Sequence, residues 1–176
     1  FVKKAYLATD PLKIFLFPMK PALVIRGLKK TYKTGVTALK GVDLQIEQGD
    51  CFALLGPNGA GKTTIIGIIS GLVEKSEGTI RVRDFDIDQH PELARTHIGV
   101  VPQEFNFSIF ETPIEIVVNQ AGYYGIPRKE AMVRAEWILK QLGLWDMRTM
   151  PSRTLSGGMK RRLLICRALI HDPEIL

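Results

Sequence analysis

Apolar and polar positions divide the chain into a β-like first part and a helical later part. Between residues 22 and 46, short apolar runs alternate with turn residues at Lys33-Thr34-Gly35 and Lys40-Gly41, and Gln48-Gly49-Asp50 follows. That pattern predicts strands, the first beginning at Ala22-Leu23-Val24-Ile25. Residues 51–55 form an uninterrupted apolar run and read as a buried strand. A glycine-rich turn follows. Residues 62–71 then carry Ile65, Ile66, Ile68 and Ile69 at helical spacing, with Gly71 suited to the C-terminal cap. Residues 79–82 and 98–101 read as further strands. Beyond Gln103 the period becomes helical. Thr112-Pro113-Ile114-Glu115 combines a capping box with proline at the first helical position. Residues 128–142 put Ala131, Ala135, Ile138, Leu139 and Leu142 on one face and stop at Gly143. Ser156 is placed to cap a last helix running to Ile170. Pro173-Glu174-Ile175-Leu176 reads as the entry to another apolar strand, so the chain is expected to be a piece of a longer protein.

Composition narrows the class. With 45 % apolar, 8 % aromatic and 24 % charged residues, the chain matches an ordinary globular domain rather than a disordered, collagenous or coiled-coil one. Its 176 residues suffice for one domain, or one and a part, with a real core. No run approaches the roughly 18 uncharged apolar residues of a membrane span. The most apolar stretch, residues 14–25, is cut by Pro18, Lys20 and Pro21. A secretory signal fits badly, because Asp10 and Pro11 interrupt the would-be apolar region. Cys51 and Cys166 are too few for a disulfide framework; they read as packing residues in a reducing compartment. His90, His97 and His171 are scattered and suggest no metal site.

The net charge of +6 hints at nucleic acid, but its distribution argues otherwise. Half of it lies in residues 1–20, where Lys3, Lys4, Lys13 and Lys20 face Asp10 alone. The one dense basic element, with Lys160, Arg161, Arg162 and Arg167, reads as a solvated face or an interface, and no nucleic-acid partner is expected. The first residue is Phe1 and the first methionine is Met19, just before the first strand. Residues 1–18 have no clean period. They are expected to be upstream sequence or a cloning remnant, the alternative being a real extension.

Two motifs carry chemistry. Gly56-Pro57-Asn58-Gly59-Ala60-Gly61-Lys62-Thr63-Thr64 matches the phosphate-binding loop pattern G-x-x-x-x-G-K-[ST], with an apolar run before it and a helix after it. The glycines let the backbone wrap a phosphate chain, and the helix N-terminus adds partial positive charge. Lys62 would reach the β- and γ-phosphates of a nucleotide, and the Thr63 hydroxyl would ligate Mg²⁺. That loop alone allows kinases, GTPases, helicases and transport ATPases. The second motif is Leu155-Ser156-Gly157-Gly158, opening a helix with Met159-Lys160-Arg161-Arg162. It is either an ordinary N-cap with two glycines or a second anion site at a helix N-terminus. One nucleotide and two phosphate-seeking loops suggest a nucleotide sandwiched between two copies of the chain.

On these motifs the sequence resembles the ATP-binding cassette (ABC) family, from about residue 22 to residue 176. The resemblance implies ATP and Mg²⁺ as ligands and assigns roles to particular residues. Tyr32 would stack on adenine, and residues 56–64 would hold the phosphates. Gln103, in Val100-Val101-Pro102-Gln103-Glu104, is similar to the glutamine that senses Mg²⁺ and γ-phosphate and joins the core to a helical subdomain. Ser156, Gly157 and Gly158 are similar to the signature that contacts ATP bound by a partner subunit. Lys62 and Gln103 are then the residues nearest the chemistry, with Thr63 and Gln103 at the metal. Met159, where many importer subunits have Gln, and Tyr123-Tyr124-Gly125 upstream look like the single-cassette subunits of bacterial exporters. Phe105, Phe107, Ile109 and Phe110 are equally well subdomain core or the groove for a membrane subunit's helix.

The implied fold is α/β: a P-loop (RecA-like) core, an antiparallel β-rich N-terminal part and an inserted helical subdomain. The expected boundaries are 1–21 for an extension and 22–176 for a partial ATP-binding domain. Within it, 22–104 and 166–176 are core and 105–165 the helical subdomain. The family's Walker B strand, with an Asp for Mg²⁺ and a Glu as general base, is expected after Leu176, so residues 1–176 alone are expected to be inactive. The implied partners are a second ATP-binding subunit, head to tail, and an integral membrane permease; the implied location is cytoplasmic, at the inner face of the cell membrane. A soluble cassette ATPase acting on the ribosome or DNA is the alternative. A P-loop kinase would leave the Leu-Ser-Gly-Gly helix unexplained.

Overall fold

The computed structural model describes residues 20–176. The readings of residues 1–18 and of Met19 as a start lie outside the described residues. The chain forms two compact units, Phe1–Arg95 and Thr96–Leu176.

The first unit is built on a four-stranded antiparallel sheet in the order β2-β1-β3-β4. Its strands are β1 (Pro21–Thr31), β2 (Thr37–Glu47), β3 (Glu77–Val82) and the short β4 (Phe85–Asp86). The predicted β-rich start is therefore present, as one hairpin whose strands are much longer than the apolar runs alone. The hairpin turn is closed by Tyr32 N–H to the Val36 carbonyl at 2.9 Å and Gly35 N–H to the Tyr32 carbonyl at 2.9 Å. Leu23, Ile25, Leu28, Ile80 and Val82 are buried on the sheet, as period-two alternation requires. Register shifts between Ile25 and Leu28 around Gly27, which has φ 56° and donates its N–H to Asp43 Oδ1 at 2.8 Å. Such a bulge bends the strand and lets β3 approach: a Cβ on Gly78 would lie 2.6 Å from the Gly27 carbonyl oxygen.

Helix α1 (Lys62–Ile69) ends as its sequence predicts. Gly71 takes φ 75°, its N–H bonds the Ile68 carbonyl at 3.0 Å, and the Leu72 N–H bonds the Gly67 carbonyl at 2.8 Å. These two bonds are the Schellman closure, which needs a residue without Cβ strain at that position. The short α2 (Pro91–Thr96) follows.

The second unit packs three helices: α3 (Pro113–Tyr123), α4 (Arg128–Gln141) and α5 (Gly157–Leu169). Val117, Ala121, Ala131, Ala135, Leu139, Leu144, Leu163 and Cys166 form its core and are fully buried. The small residues on α4 let the helices approach, and Leu144 closes the layer just past the Gly143 turn. Burial pushes the Cys166 thiol up to about 12, so this cysteine packs and does not react. Cys51, expected to pack as well, is exposed.

The capping box of α3 is complete. The Thr112 N–H and hydroxyl donate to Glu115 Oε2 at 2.9 and 2.7 Å, and the Glu115 N–H donates to the Thr112 hydroxyl oxygen at 3.4 Å. The bond from the Thr112 backbone, and then that from its hydroxyl, hold the Glu115 carboxyl below its usual range. The unfolded chain releases that proton near pH 4.3, as an ordinary Glu does at about that value. The stabilisation is therefore complete above that range and lost as pH falls through the lower folded value. Urea unfolding of wild type and Glu115→Gln should show a stability difference at neutral pH that shrinks as the pH is lowered into the acid range. A difference independent of pH would show that the carboxylate charge contributes nothing.

Two predicted strands are not strands. Residues 51–55 have an extended alternation, with Phe52 and Leu54 half-buried and Cys51, Ala53 and Leu55 exposed. No strand among the described residues pairs with them. An apolar run supplies faces, but a strand exists only through hydrogen bonds to a neighbour. Residues 98–101 make one parallel bridge, Ile98 with Ile175. It is held by Gly99 N–H to the Ile175 carbonyl at 2.8 Å and Ile175 N–H to the His97 carbonyl at 3.0 Å. Residues 173–176 therefore enter a parallel pairing, as their apolar pattern suggests, but over a single bridge.

Candidate nucleotide site

The glycine-rich loop occupies the step from residues 51–55 into α1. Residues 56–60 are exposed, and the turn is closed by the Ala60 N–H on the Pro57 carbonyl at 3.2 Å. Gly59 and Gly61 have φ 81° and 84°, conformations that a side chain would strain. Gly61 is the N-cap of α1, and the helix has no acidic residue in its first turn. Its positive end is thus left for an exogenous anion. The Lys62 ammonium folds back over the loop and donates to the carbonyls of Gly56 at 2.6 Å and Pro57 at 2.7 Å. An ammonium has one more donor than these two carbonyls use. Thr63 is exposed beside it.

Gly61 has a second reason to lack a side chain. A Cβ there would lie 2.6 Å from Leu39 Cδ2 and 2.9 Å from the Ala38 carbonyl oxygen of β2. The Leu39 side chain could move, but the carbonyl moves only with the backbone of β2. Gly61→Ala should therefore lower the unfolding free energy by about 2 kcal/mol or more, from backbone strain and overpacking together. Thermal unfolding measures it; an unchanged midpoint would show that the loop tolerates another conformation.

Tyr32 lies beside this loop. Its hydroxyl is 3.2 Å from the Thr64 hydroxyl, and the Lys30 ammonium sits 5.0 Å from its ring centroid. The structure thus brings together Tyr32, residues 56–61, Lys62, Thr63 and Thr64 within the first unit. The donor set fits a nucleotide with its Mg²⁺: a side-chain-free loop at a helix start, an ammonium and an exposed hydroxyl. Among the described residues no cluster of His, Cys, Asp and Glu could hold a metal alone, so a cation here would need phosphate oxygens as ligands.

The other predicted residues lie in the second unit. Leu155 is buried, whereas Ser156, Gly157 and Gly158 are exposed. The Ser156 hydroxyl caps α5 by accepting from the Met159 N–H at 3.3 Å. Gln103 is exposed on the loop leading to α3. Of the apolar cluster after it, Phe107 packs on the helical core, while Phe105, Ile109 and Phe110 are exposed. Phe107 thus takes the core role, and the other three leave the core. A cleft of about 210 Å³ beside it is lined by Asn106, Phe107, Ser108, Glu111, Gln120 and Arg167, among others.

The basic face of α5 is not simply solvated. Arg161 Nη1 donates to the carbonyls of Pro102, at 2.5 Å, and Gln103, at 3.4 Å. Arg162 Nη1 donates to the Leu142 carbonyl at 2.7 Å, past the end of α4. Arg167 donates to Asn106 Oδ1 at 2.9 Å and to Gln120 Oε1 at 3.2 Å. Ser152, fully buried before the signature, donates its hydroxyl to the Glu111 carbonyl at 2.7 Å. Sequence reading missed these anchors, because a charge run does not reveal its acceptors.

Comparison with known proteins points to one family. The ABC transporter family profile matches residues 39–176. The chain is 38 % identical over 156 residues to the Nod factor export ATP-binding protein I of Ralstonia nicotianae, covering 89 % of this chain and 48 % of that protein. It is 40 % identical over 154 residues to the linearmycin resistance ATP-binding protein LnrL of Bacillus subtilis, covering 88 % and 49 %. The chain spans about half the length of these relatives. Among solved structures, cbiO1 of Clostridium perfringens, part of the ABC transporter complex cbiONQ, superposes with a TM-score of 0.77 at 30 % identity, covering 88 % of this chain and 63 % of that one. With a family match across most of its length and relatives that are ATP-binding proteins of that family, the chain belongs to the ABC transporter family as an ATP-binding subunit.

Proposed function

We propose that the loop of residues 56–64 binds the phosphates of ATP·Mg²⁺, and that the full-length protein hydrolyses ATP to power a transporter, an exporter in particular. The observation that carries this reading is the Lys62 ammonium lying across the Gly56 and Pro57 carbonyls at the uncapped start of α1. Phosphates arriving there meet backbone N–H groups, the helix end and an ammonium that exchanges weak neutral acceptors for charged ones. The exposed Thr63 hydroxyl and the Gln103 amide would hold Mg²⁺, which supplies charge neutralisation at the transferred phosphoryl group. Tyr32 would stack on the adenine, its ring already held by Lys30 and Thr64.

Phosphoryl transfer needs positioning and charge more than covalent help. Lys62 and the loop backbone provide both. Neither Asp172 nor Glu174 is assigned as general base: Asp172 sits in a left-handed turn at φ 57°, and Glu174 Oε1 is 3.1 Å from His97 Nδ1. Ser156, Gly157 and Gly158 would face the nucleotide of a second subunit arranged head to tail, and ATP would close that dimer. The exposed Phe105, Ile109 and Phe110 would meet a membrane permease, placing the protein at the cytoplasmic face of the membrane. Among the described residues no helix is long and apolar enough to cross a membrane. The export direction draws on the Met159-Lys160-Arg161-Arg162 signature and on the export and resistance proteins it resembles. The test is phosphate release by the full-length protein, alone and with its membrane subunit. Magnesium-dependent ATP turnover that the membrane subunit alters is expected; no nucleotide binding by the full-length protein would end the reading.

A further inference from the structure

The segment between Gln103 and α3 is fastened to α5 and its lead-in at four places. Arg161 holds the carbonyls of Pro102 and Gln103. Arg167 holds Asn106 through its side-chain oxygen, and its carbonyl at 3.3 Å. The Arg153 N–H donates to the Ile109 carbonyl at 2.9 Å, and Ser152 takes the Glu111 carbonyl through both its N–H and its hydroxyl. The last two belong to the turn just before the signature. Arg161 lies within the first turns of the helix that the signature opens, so one rigid element carries both Ser156 and the guanidinium nearest Gln103.

Arg161 differs from the other anchors in what it holds. Arg167 and Ser152 are buried or half-buried and fix the subdomain. Arg161 is exposed and bonds the carbonyls of Pro102 and Gln103, one on each side of the Gln103 Cα. The two peptides at that Cα set the direction of the Gln103 side chain. Both bonds leave one guanidinium nitrogen, Nη1, whose two hydrogens serve the two neighbouring acceptors.

We propose that Arg161 is a positioning residue: it fixes the main chain at Pro102–Gln103 to α5, so that the aim of the Gln103 amide and the position of the Ser156–Gly158 signature are set together. The proposal rests on the reading of Gln103 as a contact to the metal and γ-phosphate. Within the second unit it ties the main chain at Gln103 to the helix that Ser156 caps. Because Arg161 is exposed, its removal leaves no cavity and the subdomain core stands.

The test is a double-mutant cycle in the full-length protein with its membrane subunit. Arg161→Met should leave the ATP dissociation constant within about twofold of wild type, since the phosphate loop is untouched, and lower kcat about tenfold, the scale of one charge-assisted hydrogen bond. Arg161→Lys, which can reach one carbonyl, should recover part of that loss. The discriminating measurement is Arg161→Met combined with Gln103→Ala. If Arg161 acts through Gln103, the double variant is no slower than Gln103→Ala alone; independent effects would multiply. Multiplying effects, or a rise in KM with kcat unchanged, would overturn the role of Arg161 while leaving that of Gln103 standing. Wild-type turnover by Gln103→Ala would instead overturn the Gln103 reading, and the inference with it.

Discussion

Replacing Lys62 by Ala is expected to weaken ATP·Mg²⁺ binding by roughly 10- to 150-fold and to abolish turnover. The side chain would exchange its bonds to the Gly56 and Pro57 carbonyls for bonds to phosphate oxygens. Hydrogen bonds to charged groups contribute about 1.5–3 kcal/mol each, which converts to that range of affinity. The two carbonyls it leaves behind lie on an exposed loop, where water replaces the ammonium. The fold should therefore survive, and the thermal midpoint should stay near that of wild type. Isothermal titration of the full-length variant reads the affinity directly. An unchanged dissociation constant would place the phosphates elsewhere, whatever happened to the rate.

Replacing Ser156 by Arg is expected to leave nucleotide binding by a single subunit nearly intact and to abolish ATP-dependent dimerisation. Ser156, Gly157 and Gly158 are exposed while Leu155 is buried, so a large cationic side chain at Ser156 projects outward and obstructs whatever docks there. The same change removes the cap on the Met159 N–H, a loss of about 1 kcal/mol. Ser156→Asp separates the two effects. Aspartate is a good N-cap, so the helix keeps its start, but its carboxylate would face the partner's phosphates. Both variants should therefore fail to dimerise, with only Arg losing stability. Analytical ultracentrifugation with a hydrolysis-resistant ATP analogue, beside thermal unfolding, distinguishes these outcomes. A dimer as tight as wild type in both variants would contradict the nucleotide sandwich.

The features legible in the sequence are those whose cause is local. The glycine-rich loop is written in Gly59 and Gly61, which take positive φ, and in a lysine at fixed spacing. The capping box at Thr112 and Glu115, the Schellman turn at Gly71, the buried face of α4 and the cap at Ser156 depend on residues within about one or two helical turns. Each appears where the sequence places it. What tertiary structure alone decided is non-local. Residues 51–55 and 98–101 have the apolar pattern of strands, yet one forms no ladder among the described residues and the other a single bridge, because a ladder depends on the neighbour as much as on the run itself. The basic face of α5 reads in the sequence as a solvated face or an interface, yet Arg161, Arg162 and Arg167 each reach acceptors 19 to 61 positions away along the chain. A guanidinium on a flexible stem accepts many partners, so its choice is made by whichever carbonyls the fold brings within reach.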